Sequence, residues 1–266
     1  LLSGFLVVGA LATPVPVLAQ EKVRVPWQPG WVKGFNEEQP SGELEARLFR
    51  APGAGKAPFV VFLHGCGGLD LRRVSHWATF FTQRGVGVLM VDSLATRNIR
   101  NACGSALPGF VRRRADDAAS ALQWLAAQPY AKPDRIAVMG QSQGGGAALF
   151  TLDERGAGAG GFVAGLAMYP GCIRALNSKV RLSKPVLVMV GSEDTAALPA
   201  DCEALQAAQP DKGNLELIVY PGAVHEFDNP VRPYLLLGKY KGGEHAPSRE
   251  KARARVAQWI ETILKR

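Results

Sequence analysis

The sequence predicts a single α/β domain: a mostly parallel, twisted sheet with helices on both faces and no large lid. Three observations carry that prediction. Apolar runs of strand length alternate with amphipathic runs of helical period, the order that makes parallel strands joined by crossover helices. Several apolar runs end in glycine-rich or acidic turns, as at Asp92, Gly140 and Gly191. With 266 residues, 47% hydrophobic and 20% charged, the chain has the length and composition of one large globular domain.

The elements follow in order. No charge occurs in the first twenty residues. Leu1 to Ala12 is apolar, two prolines follow, and Val17 and Ala19 have the spacing expected before a signal-peptidase cut. The stretch is too short and too broken by proline to span a membrane. Residues 1–19 therefore read as an export signal, and the mature protein as periplasmic or secreted with no stable membrane insertion. With no Met or basic segment ahead of the apolar run, the sequence is expected to start inside that signal.

Residues 20–41, rich in Pro, Gly and Trp, show no clear period and read as an arm over the domain. The domain proper takes residues 42–266. Gly42 to Phe49 alternates as an edge strand does. Pro58 to Leu63 is continuously apolar, as a strand covered on both faces should be, and it ends in His64-Gly65-Cys66-Gly67-Gly68. Val74, Trp77, Ala78 and Phe81 mark one helical face, with Gly85 as its stop. Val86 to Val91 is a strand, Val111 to Leu125 a helical stripe, and Ile136 to Met139 a strand. Further strands run over Phe162 to Met168, Pro185 to Val190 and Leu215 to Tyr220. A short helix lies near Asp201 to Ala208, and the last helix carries Val256, Trp259, Ile260, Ile263 and Leu264. The loop Ser93 to Pro108 and the segment Asn229 to Pro247 are expected to shape an entrance at the carboxyl ends of the strands, where such sheets bind ligands.

Net charge is +8, yet Lys and Arg are scattered. The densest run, Arg112-Arg113-Arg114, opens a helix and is expected to face solvent, and Arg97 and Arg100 read as ordinary surface charge. With no zinc-finger spacing and no RNA-binding signature, nucleic acid is not an expected partner. The four cysteines fit an oxidising compartment. They allow three pairings; Cys66 with Cys103 and Cys172 with Cys202 are favoured, since each joins loops that follow neighbouring strands. No C-x-x-C or Cys/His cluster has metal spacing, so a zinc site is not expected.

Chemistry concentrates at Gly140-Gln141-Ser142-Gln143-Gly144. An apolar strand precedes it and small residues follow, the strand–turn–helix setting that puts a serine hydroxyl at the apex of a tight turn. Ser142 reads as a nucleophile. A serine hydroxyl needs a base, and the base needs an acid to orient it. His225 follows the last strand and Asp194 the strand before it, so Ser142, Asp194 and His225 come in the chain order of α/β-hydrolases. His245 is the reserve base; His76 falls within a helix, and His64 is expected to order its glycine loop. Glu193 and Asp201 are alternative acids, while Asp92 precedes the nucleophile and breaks the order. Backbone N–H groups of Gln143 and Cys66 are the expected donors to an oxyanion. Chemistry of this kind requires no metal or organic cofactor.

These motifs resemble the dienelactone hydrolase family of α/β-hydrolases, from the His64-Gly65-Cys66-Gly67-Gly68 loop to Tyr220-Pro221-Gly222-Ala223-Val224-His225-Glu226-Phe227. Gly140 to Gly144 and Gly191-Ser192-Glu193-Asp194 carry the rest of the likeness. The family's founding members hold a Cys nucleophile where this chain has Ser142. The resemblance thus implies an exported branch acting on small carboxylic esters or lactones, with a general esterase favoured by the serine. A peptidase or acyltransferase would use the same three groups, and a binding protein on a hydrolase scaffold is the non-enzymatic alternative. Oligomeric state is not legible.

Overall fold

The computed structural model describes residues 20–27, 42–53, 55–104, 109–156 and 158–265. The export signal read at residues 1–19 and most of the arm lie outside them. The remainder of the arm is a strand: β1, Gln20–Trp27, pairs antiparallel with β2, Gly42–Phe49. That displaces Gly42–Phe49 from the sheet edge, where its alternation placed it, to the second position. Val25 and Trp27 are buried at the end of β1, while Lys22, Arg24 and Pro26 alternate outward, the pattern of a strand with one wet face.

Six more strands complete the main sheet: β3 (Ala57–Leu63), β4 (Gly87–Asp92), β5 (Ala131–Gln141), β6 (Gly165–Met168), β7 (Val186–Gly191) and β8 (Leu215–Tyr220). Their order is β1-β2-β4-β3-β5-β6-β7-β8, antiparallel through β1, β2 and β4 and parallel from β4 onward. The helices are α1 (Leu71–Thr82), α2 (Phe110–Ala126), α3 (Gln143–Thr151), α4 (Cys172–Asn177), α5 (Pro199–Ala208) and α6 (Ala246–Trp259). A small hairpin, β9 (Tyr234–Leu236) with β10 (Tyr240–Gly242), stands beside the sheet.

Side chains of each central strand alternate between two cores. Phe59, Val61 and Leu63 join the layer under α2, α3, α4 and α5, whereas Val60 and Phe62 join the one under α1 and α6. Double coverage is why Pro58 to Leu63 reads as continuously apolar. β6 begins at Gly165, three residues later than the apolar run at Phe162. Cys66–Cys103 and Cys172–Cys202 are both disulfide-bonded, with sequence separations of 37 and 30. Loops of those lengths contribute roughly 3–4 kcal/mol each in the chain-entropy picture. No described helix is long and apolar enough to cross a membrane.

Candidate active site

β5 runs through the middle of the sheet and stops at Gln141. Ser142 follows at φ 53° and ψ −118°, and α3 starts at Gln143. A non-glycine residue stays in that backbone region only when its surroundings hold it. Here the flanking glycines make close backbone contact. A Cβ on Gly140 would stand 2.1 Å from the Gly144 carbonyl oxygen, and one on Gly144 2.1 Å from that of Leu63. Glycine is required at both places for strand, turn and helix to close on each other. The Ser142 N–H donates to the Met168 carbonyl at 2.9 Å, fixing the turn at the carboxyl end of the sheet.

Two later loops bring the partners. Past β7, Asp194 turns back on its own chain, and its Oδ1 accepts the N–H groups of Ala196 at 2.9 Å and Ala197 at 2.8 Å. Past β8, His225 is tied to the hairpin: its N–H donates to Lys241 O and its carbonyl accepts the N–H of Gly243. His225 Nδ1 lies 2.7 Å from Asp194 Oδ2, and Nε2 lies 2.9 Å from Ser142 Oγ. With Nδ1–H donating to the carboxylate, Nε2 offers its lone pair to the serine hydroxyl. His225 and Asp194 are both 2% exposed, so water does not compete for the bond between them, while Ser142 is part-exposed. The edge of the Tyr169 ring packs on the imidazole, centroids 4.8 Å apart.

The other candidate bases and acids lie outside this constellation. His245 sits before α6 and bonds Ser248 Oγ; His76 on α1 bonds Asn229. Asp92 accepts the N–H groups of Leu94 and Ala95, Asp201 lies in the first turn of α5, and Glu193 is exposed. His64 is wholly buried, with Nδ1 against Gly65 O at 2.6 Å and Nε2 accepting the Ser93 N–H at 3.2 Å. Burial, with the nearby Arg114 charge, lowers its pKa and keeps it neutral.

Two arginines overturn the sequence reading. Arg114, expected to face solvent, is 0% exposed; it donates to the His64 carbonyl and, at 3.1 Å, to Gln143 Oε1. It lies three residues after Val111 and four before Ala118, on the apolar stripe of α2, and that position was the available signal. Arg97 is not surface charge either. It makes a two-point contact with buried Asp117 at 2.7 and 3.0 Å, and only Arg100 of the pair is exposed. Sequence reasoning also missed Asp228. This buried carboxylate accepts from Trp77 Nε1 at 2.6 Å and Gln141 Nε2 at 2.7 Å, linking the His225 loop to the end of β5.

A cavity of about 410 Å³ opens at Ser142. Cys66, Gln143, Tyr169, His225, Leu237 and Tyr240 are among its lining residues. Ala102 to Gly104 also face it, so both segments expected to shape the entrance contribute. Gln143 holds the first position of α3, where an N–H has no acceptor within the helix. No group of three or more His, Cys, Asp or Glu among the described residues has the arrangement of a metal site.

A parallel sheet carrying a serine at the β5–α3 turn, an Asp after β7 and a His after β8 defines an α/β-hydrolase. The model of the dienelactone hydrolase family matches residues 44–264, and the chain belongs to that family. Solved structures agree in fold. A dienelactone hydrolase from Anabaena variabilis is 21% identical at a TM-score of 0.62, covering 92% of this chain and 99% of its own. A dienelactone hydrolase-like promiscuous phosphotriesterase from metagenomic libraries is 18% identical at 0.69, with the same coverage. Dipeptidyl peptidase 4 from Porphyromonas gingivalis is 18% identical at 0.65, over 93% of this chain and 36% of that one. No curated protein matches the sequence. Family and fold together make the chain a hydrolase of the esterase type.

Proposed function

We propose that the chain is an exported serine hydrolase that cleaves small carboxylic esters or lactones through an acyl-enzyme. The observation that carries this reading is the unbroken relay from Ser142 Oγ through His225 to Asp194, at 2.9 and 2.7 Å. His225 takes the hydroxyl proton as Ser142 attacks the carbonyl carbon. Asp194 holds the ring in the required tautomer and stabilises the imidazolium. The N–H groups of Gln143 and Cys66 receive the developing oxyanion, an interaction worth about 2.7–4 kcal/mol per donor. His225 then protonates the leaving alkoxide, and water repeats the sequence to free the acid. A lactone keeps its leaving oxygen tethered and opens to a single hydroxy acid. The two disulfides support export, because such bonds persist in oxidising compartments.

Ser142→Ala removes the attacking oxygen and leaves the fold's contacts in place. Its kcat/KM for an aryl ester should fall by about 10⁴-fold or more with Tm unchanged. Retention of wild-type turnover would reject Ser142 as nucleophile. A panel of aryl esters, lactones and acyl amides on the wild-type protein ranks the substrate classes.

A further inference from the structure

Two backbone amides, on different elements, must point at one spot for the proposed chemistry to work. Gln143 begins α3, and Cys66 lies in the loop after β3. Between Cys66 and Gln143 lie 76 residues of sequence, and the pairing of β3 with β5, Leu63 beside Gly140, brings their elements next to each other without fixing where the two amides point. One buried side chain ties the two together. From α2, the guanidinium of Arg114 donates through Nη2 to the carbonyl of His64 and through Nη1 to Oε1 of Gln143. Gln143 Nε2 in turn reaches the Ala102 carbonyl at 3.4 Å, and the Ala102 N–H donates to Cys66 O at 2.8 Å. Both elements that bear the proposed donors are therefore bonded to the same planar group, in addition to the β3–β5 pairing.

The cost of placing a cation there is large. Arg114 is wholly buried, and desolvation pushes its pKa down to about 10, so it stays charged at neutral pH. Asp117, the carboxylate whose charge most favours this cation, is occupied by Arg97. A helix stripe that elsewhere holds Val111, Ala115, Ala118 and Leu122 would gain more from an apolar residue at this position. A planar fork of donors fits the two acceptors as a hydrocarbon cannot.

We infer that Arg114 is the positioning residue of the oxyanion site, aligning the Cys66 and Gln143 amides by bridging the His64 carbonyl to the Gln143 side chain. The inference rests on the serine-hydrolase reading above, and Ser142→Ala tests that reading separately. For Arg114, the measurement is kcat and KM on p-nitrophenyl acetate, with Tm, for Arg114→Met and Arg114→Lys. Misaligned donors act on the transition state, so Arg114→Met should lower kcat by about 10²-fold and move KM by less than about threefold. Arg114→Lys, keeping a charge and part of the bonding, should recover about tenfold of that loss. A folded Arg114→Met with wild-type kcat, or with its loss confined to KM, overturns the inference. Should Arg114→Met fail to fold, Gln143→Leu decides: it cuts the bridge at its α3 end and leaves the guanidinium in place. A drop in kcat of about tenfold at unchanged KM supports the bridge, and an unchanged kcat overturns it. If Ser142→Ala keeps its activity, the hydrolase reading falls whatever the Arg114 variants do.

Discussion

Single residues in this protein are held by what surrounds them more than by their own preferences. Ser142 keeps a backbone conformation that serine rarely adopts because Gly140 and Gly144 let three elements close around it. His64 shows the same control acting on charge. Its ring is enclosed by the Arg114 guanidinium, Asp92, the Ser93 N–H and the Gly65 carbonyl, and burial lowers its pKa below the ordinary 6.5. His76 is shifted the same way, again chiefly by burial. The unfolded chain therefore binds protons near pH 6.5 that the folded chain refuses. Folding stability should be level above about pH 6.5 and decline as pH falls below it. Asp70, whose pKa is lowered chiefly by its hydrogen bond from Arg72, gives stability that is fully present above its ordinary 3.8 and lost only below it, outside that window. Thermal melts of wild type and His64→Gln from pH 7.5 to 5 check this: the variant should lose less Tm over the acid half. Equal losses would show that the His64 ring does not titrate with folding.

At the level of elements, the two disulfides divide by accessibility. Cys172 and Cys202 are buried between α4 and α5, at 1% and 0% exposure. Cys66 and Cys103 are half-buried and line the cavity at Ser142. An attacking thiolate must reach a sulfur, so the two bonds should not respond alike. Limited dithiothreitol should release two thiols before four, mapping to Cys66 and Cys103, and esterase turnover should fall with them while circular dichroism is kept. Release of Cys172 and Cys202 first, or of all four together, would contradict that ordering. The elements themselves were largely legible. Strands covered on both faces advertise themselves as apolar runs, and the helical stripes on α1 and α2 match the buried faces found, while that of the last helix runs from Val256 and Trp259 on α6 into a π-helical turn, Ile260–Leu264. β1 was not legible, because its alternation runs only from Lys22 to Trp27 and its Pro26 imitates a loop. Residues 1–19, read as an export signal, lie beyond what the structure describes.

For the whole molecule, the sheet's topology does the gathering. Parallel strands put the ends of β5, β7 and β8 on one rim, and 83 residues of chain between Ser142 and His225 reduce to a 2.9 Å contact. That convergence was readable from the order Ser142, Asp194, His225 and the strand before each. The support behind it was not, since Arg114, Arg97 and Asp228 matter through partners distant in sequence that no local pattern names. Arg97 illustrates the reach: it pairs with Asp117 on α2, and its guanidinium also lies 5.3 Å over the Trp27 ring of β1. In the proposed function, Ser142 is the activated nucleophile of this assembly. Mass-spectrometric mapping of the native protein after a serine-directed fluorophosphonate tests it most directly. One adduct per chain, on the peptide carrying Ser142 and absent after heat unfolding before labelling, is the predicted result; no adduct there, or an equal adduct on the unfolded chain, would contradict it.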